Sequence, residues 1–329
     1  MTGPTPTLDE LRAAARVVAL PMRVRFRGIT VREVLLLRGP AGWGEFAPFP
    51  EYGDVESSAW LRSAIESAWL GPPPAVRTTI PVNATVPAVA AAQVPQILTR
   101  FPGASTAKVK VAERGQSLAD DVARVAAVRN RVEHVRVDAN GGWSVDEAVA
   151  ALSALTDGGA VQYAEQPCAT VPELVELRRR LAGRGISVPI AADESIRRAD
   201  DPLRVVRAGA ADVAVVKVAP LGGMRSLLRL ADELAGHGAR IVVSSALDSA
   251  VGIATGLAAA AALPALDLAC GLGTGSLFAA DVAAPLPLSG GELEVAAVVP
   301  DEERLAALAA APQRTGWWLD RLARCHALL

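Results

Sequence analysis

Ala107-Lys108-Val109-Lys110-Val111 sets the frame of this chain. On a β-strand, residues two apart share a face, so the ammonium groups of Lys108 and Lys110 point the same way. Two like charges side by side on a buried face are costly unless opposite charge or chemistry requires them. Of the 33 lysines and arginines, only Lys108, Lys110 and Lys217 are lysine. Arginine stays protonated, whereas a buried lysine can lose its proton and act as a base. The three lysines therefore mark places where an ammonium that can become an amine has a task.

Outward from this strand, short apolar runs alternate with helix-like segments. The runs cover 80–86, 107–111, 135–138, 161–165, 189–193, 212–218, 241–245 and 266–270. Segments 118–129, 144–155, 171–181, 224–235 and 249–262 have helical periodicity. Eight such runs with helices between them, over about 200 residues, predict a (β/α)7β TIM-like barrel rather than an open sheet. No glycine-rich dinucleotide fingerprint follows the first run, which argues against a doubly wound fold.

Residues 1–78 read as a separate α+β capping domain. A strand-like run at 31–37, the turn Arg38-Gly39-Pro40-Ala41-Gly42 and Trp43-Gly44-Glu45-Phe46 give a hairpin signal. A helical pattern over 57–70 is stopped by Gly71-Pro72-Pro73-Pro74. Residues 79–282 form the barrel. Residues 283–329, with Gly290-Gly291 and a strand-like 293–299, are expected to return to the capping domain.

Acids end three successive runs. Asp138 closes Val135-Arg136-Val137-Asp138, Glu165 closes Tyr163-Ala164-Glu165, and Asp193 closes Ala191-Ala192-Asp193. Barrel strands present their C-terminal ends on one face, so these side chains converge. Lys110 lies one β/α unit before the first acid, and Lys217, in Val215-Val216-Lys217-Val218, one unit after the last. Three carboxylates repel one another unless a cation neutralises them. With oxygen ligands and neither His nor Cys at hand, Mg²⁺ is expected, with Mn²⁺ as a possible substitute. One acid at a strand end is ordinarily a helix cap, and one strand lysine ordinarily snorkels from an edge. An ordered set of six has no such ordinary explanation. Asn140 and Glu194 divide between supporting roles and substrate contact.

The bulk composition narrows the partners. The 329 residues carry a formal charge of −2, which leaves no basic footprint for nucleic acid or an anionic membrane. Cys168, Cys270 and Cys325 are widely spaced and suit buried packing better than a disulfide or zinc site. The first 30 residues hold Arg12, Arg16, Arg23 and Arg25 and no long apolar core, so a cytoplasmic location is expected.

The lysine pair, the three acids and the sixth-strand lysine resemble the enolase superfamily, in its muconate-lactonizing subgroup. Trp43-Gly44-Glu45, Asp138-Ala139-Asn140-Gly141-Gly142-Trp143 and Glu165-Gln166-Pro167 are similar to that family too, and the likeness spans nearly the whole chain. It implies Mg²⁺ on Asp138, Glu165 and Asp193, with Lys110 removing a proton α to a carboxylate. Lys217 would remain cationic on the opposite face of the resulting enediolate, and Lys108 would contact the substrate carboxylate. In the family, loops matching 20–27 and 48–54 close the site. Ser244-Ser245-Ala246-Leu247-Asp248-Ser249 and Ala269-Cys270-Gly271-Leu272-Gly273-Thr274-Gly275 resemble members that eliminate water. A lyase acting on a small-molecule carboxylate is therefore expected, with Asn140, Ser244, Ser245, Gly271 and Gly273 as substrate contacts. A racemase of N-succinylamino acids or a dipeptide epimerase would use the same two lysines. The Asp-x-Asp of dipeptide epimerases is absent from Ala265-Leu266-Asp267-Leu268-Ala269. A Schiff-base aldolase built on Lys217 leaves the acids idle, and a non-catalytic binding barrel would have lost them.

Overall fold

The computed structural model describes residues 5–26, 28–197 and 201–329. Helix α1 (Leu8–Ala14) starts at a capping box between Thr7 and Glu10 and leads into antiparallel β1 (Ala15–Phe26), β2 (Ile29–Gly39) and β3 (Gly42–Phe46). The expected hairpin is β2–β3. Strand β1 has no counterpart among the expected elements, because Arg16, Pro21, Arg23 and Arg25 break the apolar alternation that would mark it. Its pairing with β2 supplies the order instead, with a register shift after Pro21, which has no N–H to donate. Helix α2 (Asp54–Ile65) widens into a π turn at Glu66–Leu70 and stops at Gly71, whose φ of 70° suits glycine.

The barrel runs β4 (Thr79–Pro81), β5 (Ala84–Val86), α3 (Val94–Leu98), β6 (Thr106–Lys110), α4 (Leu118–Arg129), β7 (His134–Asp138) and α5 (Val145–Asp157). It continues with β8 (Tyr163–Glu165), α6 (Val171–Gly183), β9 (Ile190–Ala192), α7 (Glu194–Arg197) and α8 (Arg204–Arg207). Then come β10 (Val213–Val216), α9 (Met224–Gly236), β11 (Arg240–Val243) and α10 (Ala250–Ala262). Strands β5 to β11 form one curled parallel sheet in chain order, so the protein is an α/β, TIM-like barrel with an N-terminal cap.

Closure differs from expectation at one place. The eighth strand, expected over 266–270, shrinks to parallel bridges from Cys270 to Val82 and from Gly271 to Ser244. Backbone bonds from Cys270 to Pro81 (2.7 Å) and from Gly271 to Val243 (2.8 Å) join the two sheet edges. Asp267, within this run, lies exposed at the surface 4.0 Å from Arg240. The expected first strand also splits: Val82 bridges into the barrel, while β4 pairs elsewhere.

Helices α4, α5 and α6 each begin with a capping box: Ser117 with Asp120, Ser144 with Glu147 and Thr170 with Glu173. Each box satisfies helix donors within the turn that follows a strand, so the strand ends stay in place. Helix α6 buries Leu174, Leu177 and Leu181 against the sheet. Each such leucine stabilises the fold by about 1.5–3 kcal/mol.

The C-terminal part divides. Strand β12 (Leu288–Ser289) pairs with β13 (Glu292–Glu294), which pairs with β4, not with the β1–β3 sheet. Helices α11 (Glu302–Ala307) and α12 (Pro312–His326) add Leu305, Trp318, Leu322 and Cys325 to the cap core. Leu247, Val251 and Phe278 from the barrel mouth join that same core, so cap and barrel share packing.

Candidate active site at the barrel mouth

Register places the chemistry. Lys110, Asp138 and Glu165 are Cα partners on β6, β7 and β8, at one level, with side chains on one face. Lys108 lies one layer deeper, level with Arg136 and Tyr163. Asp193, Lys217 and Ser244 immediately follow β9, β10 and β11. A cleft at this mouth is lined by Lys108, Lys110, Asp138, Glu165, Asp193, Lys217, Ser244, Ser245 and Gly271.

Every acid here has a lysine. Lys108 Nζ donates to Glu165 Oε1 and Oε2 at 2.7 and 2.8 Å and lies 3.3 Å from Asp138 Oδ2. Lys110 Nζ bonds Asp138 Oδ2 at 2.5 Å and also Asn140 Oδ1, while Lys217 Nζ bonds Asp193 Oδ2 at 2.5 Å. Burial works against the Lys108 charge, but Glu165 and Asp138 outweigh it and hold the ammonium well above its usual range. Glu165 is pushed up to about 7, first by burial and then by Asp138, against the pull of Lys108.

Asn140 sits at φ 47° beside the cleft and reaches Glu194 Oε1 at 3.3 Å. Gln166, at φ 37°, accepts from the backbone N–H of Asp193 (3.2 Å) and Ser195 (3.1 Å), which sets the turn that carries Asp193. Ser245 Oγ and Thr274 Oγ1 are 2.6 Å apart. Gly271 has a steric reason: a Cβ there would stand 2.5 Å from Ser244 Oγ. Gly273 is not brought into the cleft. It begins a 3-10 turn, Gly273–Leu277, and faces Phe101 on the other side of that loop.

The cap adds a wall that sequence reasoning missed. Phe49, Tyr52 and Trp60 line the cleft and contact one another edge to face, at centroid distances of 5.5, 6.2 and 6.4 Å. Two buried arginines hold this wall. Arg321 of α12 donates to Phe49 O (3.0 Å) and Tyr52 O (2.6 Å), and Arg32 of β2 bonds Ala47 O and Leu247 O. The 48–54 loop was the available signal. Of the 20–27 stretch, Arg27 lies outside the described residues.

The enolase N-terminal domain-like family model matches residues 17–68, and the enolase C-terminal domain-like model matches 91–302. The o-succinylbenzoate synthase of Mycobacterium tuberculosis H37Rv is 64% identical over 98% of this chain and 97% of its own length. That of Mycolicibacterium smegmatis is 63% identical over 100% of both. The chain belongs to the o-succinylbenzoate synthase family of the enolase superfamily. It is an enzyme, a lyase. Muconate lactonizing enzyme from Pseudomonas fluorescens, solved with muconolactone, shares the fold at a TM-score of 0.75. The two are 24% identical, with 90% of this chain and 98% of that one covered.

Membership of this family implies a divalent cation. The residues present fit one: the three acids offer hard oxygen donors only, and Glu165, raised first by burial and then by Asp138, is a carboxylate whose charge a cation would stabilise. Among the described residues, no three acids, histidines or cysteines gather around one point, because the lysine ammoniums stand between the carboxylates. No helix among the described residues is long and apolar enough to cross a membrane.

Proposed function

We propose that this enzyme dehydrates 2-succinyl-6-hydroxy-2,4-cyclohexadiene-1-carboxylate to o-succinylbenzoate, a step of menaquinone synthesis, with Mg²⁺ as cofactor. The observation that carries this reading is the order Lys110, Asp138, Glu165, Asp193, Lys217 around one mouth. The two lysine strands β6 and β10 flank the three acid strands. The o-succinylbenzoate synthases at 63–64% identity support the choice of substrate.

Asp138, Glu165 and Asp193 would hold Mg²⁺, which when bound neutralises negative charge developing on the substrate carboxylate. Lys110 Nζ removes the proton α to that carboxylate. Lys217, held cationic beside Asp193, faces the enediolate from the other side and stabilises it. The C–O bond to the 6-hydroxyl then breaks, and the proton on Lys110 leaves with the hydroxide as water, on the face where it was taken. The ring becomes aromatic. Lys108, locked to Glu165 and Asp138, stays charged and binds the carboxylate. Ser244, Ser245 and Thr274 offer hydroxyl donors for the succinyl group, and Gly271, without a side chain, leaves room for it to approach.

Purified protein with Mg²⁺ is expected to convert the cyclohexadiene to the aromatic product, read by ultraviolet absorbance, and EDTA to stop it. Turnover absent from the Mg²⁺-loaded enzyme overturns the reading. Exchange of the α-hydrogen of N-succinylamino acids in D₂O, without dehydration, would favour a racemase.

A further inference from the structure

Behind the cleft wall lies a second, small space between cap and barrel. It is lined by Glu45, Trp60, Ser63 and Ser67 of the cap and by Asp248, Gly252 and Thr255 of the barrel, with room for little more than one water. Two residues on its walls each carry a buried polar atom with no protein partner. These atoms are Glu45 Oε1 and Trp60 Nε1, on residues 7% and 1% exposed. Native structures pair such atoms almost without exception.

The lone atoms have complementary roles. Trp60 Nε1–H can only donate, whereas the outer Glu45 oxygen accepts when the carboxyl is ionised and donates when it is protonated. The other Glu45 oxygen, Oε2, is fully engaged by Ser249 N (3.0 Å), Ser249 Oγ (2.5 Å) and Gly252 N (3.1 Å). Rotation of the carboxylate towards the indole would break all three bonds. A cation is disfavoured by the indole N–H, and an anion by Glu45 and Asp248. The guest must accept from the indole and be able either to donate to Glu45 or to accept from it. Water does so and fits the space.

We propose that a single water, accepting from Trp60 Nε1 and hydrogen-bonded to Glu45 Oε1 and Asp248, ties cap to barrel and fixes Trp60 in the cleft wall. Trp60 lines both spaces, its ring packs with Phe49 and Tyr52 in the catalytic cleft, and its Nε1 is buried. Asp248 directly follows Leu247, which lines the cleft from the barrel side. Glu45 and Asp248 are thus positioning residues, acting through the water on the wall that shapes substrate binding.

The test has two arms, of which only the kinetic one rests on the reading of the mouth as the dehydration site. In ¹⁵N-labelled full-length protein, the indole N–H signal lost in Trp60→Phe identifies Trp60. That signal is expected to exchange slowly with solvent and to show a cross-relaxation peak at the water frequency. In turnover assays Trp60→Phe, which keeps an aromatic ring, should raise KM about tenfold with kcat within about twofold, a loss of roughly 1.4 kcal/mol in binding. Ser63→Val, which adds a methyl group to the cavity wall and leaves indole and acids intact, should abolish the water peak and shift KM the same way. Absence of the water peak in the wild type overturns the bridge. A peak present with KM unchanged in both variants overturns the positioning role. If the wild type performs no dehydration, the functional reading fails alone, and the water peak still decides the bridge.

Discussion

Two sets of buried carboxylates meet near the centre of this molecule, and they are neutralised by different means. At the mouth, Asp138, Glu165 and Asp193 are held by the side-chain ammoniums of Lys108, Lys110 and Lys217. At the seam, Glu45 and Glu66 of the cap accept from backbone N–H groups at the starts of barrel helices, alongside the Ser249 hydroxyl on Glu45 and the Arg225 guanidinium on Glu66 (2.7 Å). Glu45 accepts from Ser249 and Gly252 at the start of α10, and Glu66 accepts from Arg225 N at 3.1 Å at the start of α9. Gly223 gives α9 no side-chain cap of its own, so the cap domain supplies one. Backbone donors cannot swing away, whereas an ammonium on a four-carbon stem can yield its place to a cation or pass on its proton. The seam is built to hold, and the mouth to exchange.

Removing a mouth lysine should separate the two sets most sharply. Lys110→Ala and Lys217→Ala are each expected to lower turnover by about a thousandfold or more while the far-ultraviolet circular dichroism stays that of the wild type. A seam carboxylate should do the reverse. Before that, cation binding tests the mouth without reference to activity. Mg²⁺ at about a hundred times its dissociation constant should stabilise the fold by about 2.7 kcal/mol, and Asp193→Asn should erase the gain in a thermal melt.

Glu66→Ala should cost about 1–2 kcal/mol in urea unfolding and leave kcat near the wild-type value. A large loss of kcat would join the two sets functionally and break the contrast. A separate prediction concerns pH. Burial, with Asp248 adding to it, pushes Glu45 from 4.5 up to about 8, so the folded state keeps a proton there that the unfolded chain releases. Stability should therefore fall as pH rises from about 4.5 to about 8, and level off above that. Glu45→Gln should flatten that part of the profile, and an unchanged slope would place the titration elsewhere.

The mouth was legible in the sequence because its residue types are out of place. Acids ending apolar runs, and lysines in a chain that otherwise uses arginine, stand out against β-strand composition. Helix starts were legible through Ser117, Ser144 and Thr170 with an acid three residues on. The seam was not, since Glu45 and Ser249 lie 204 residues apart and neither carries a local pattern. The aromatic wall escaped for a related reason: Phe49 and Tyr52 are placed by Arg321, at the far end of the chain. Gly273 misled because a glycine-rich loop reads as one surface, whereas the 3-10 turn sends its two sides to different spaces.

The central claim is that Lys110 works as a base and not as a fixed positive charge. Turnover of Lys110→Arg with Mg²⁺ and the cyclohexadiene substrate tests it most directly, because arginine keeps the charge and cannot surrender the proton. The account predicts a loss of about a thousandfold in kcat with the fold and Mg²⁺ binding intact. A variant that retains the full rate would contradict it.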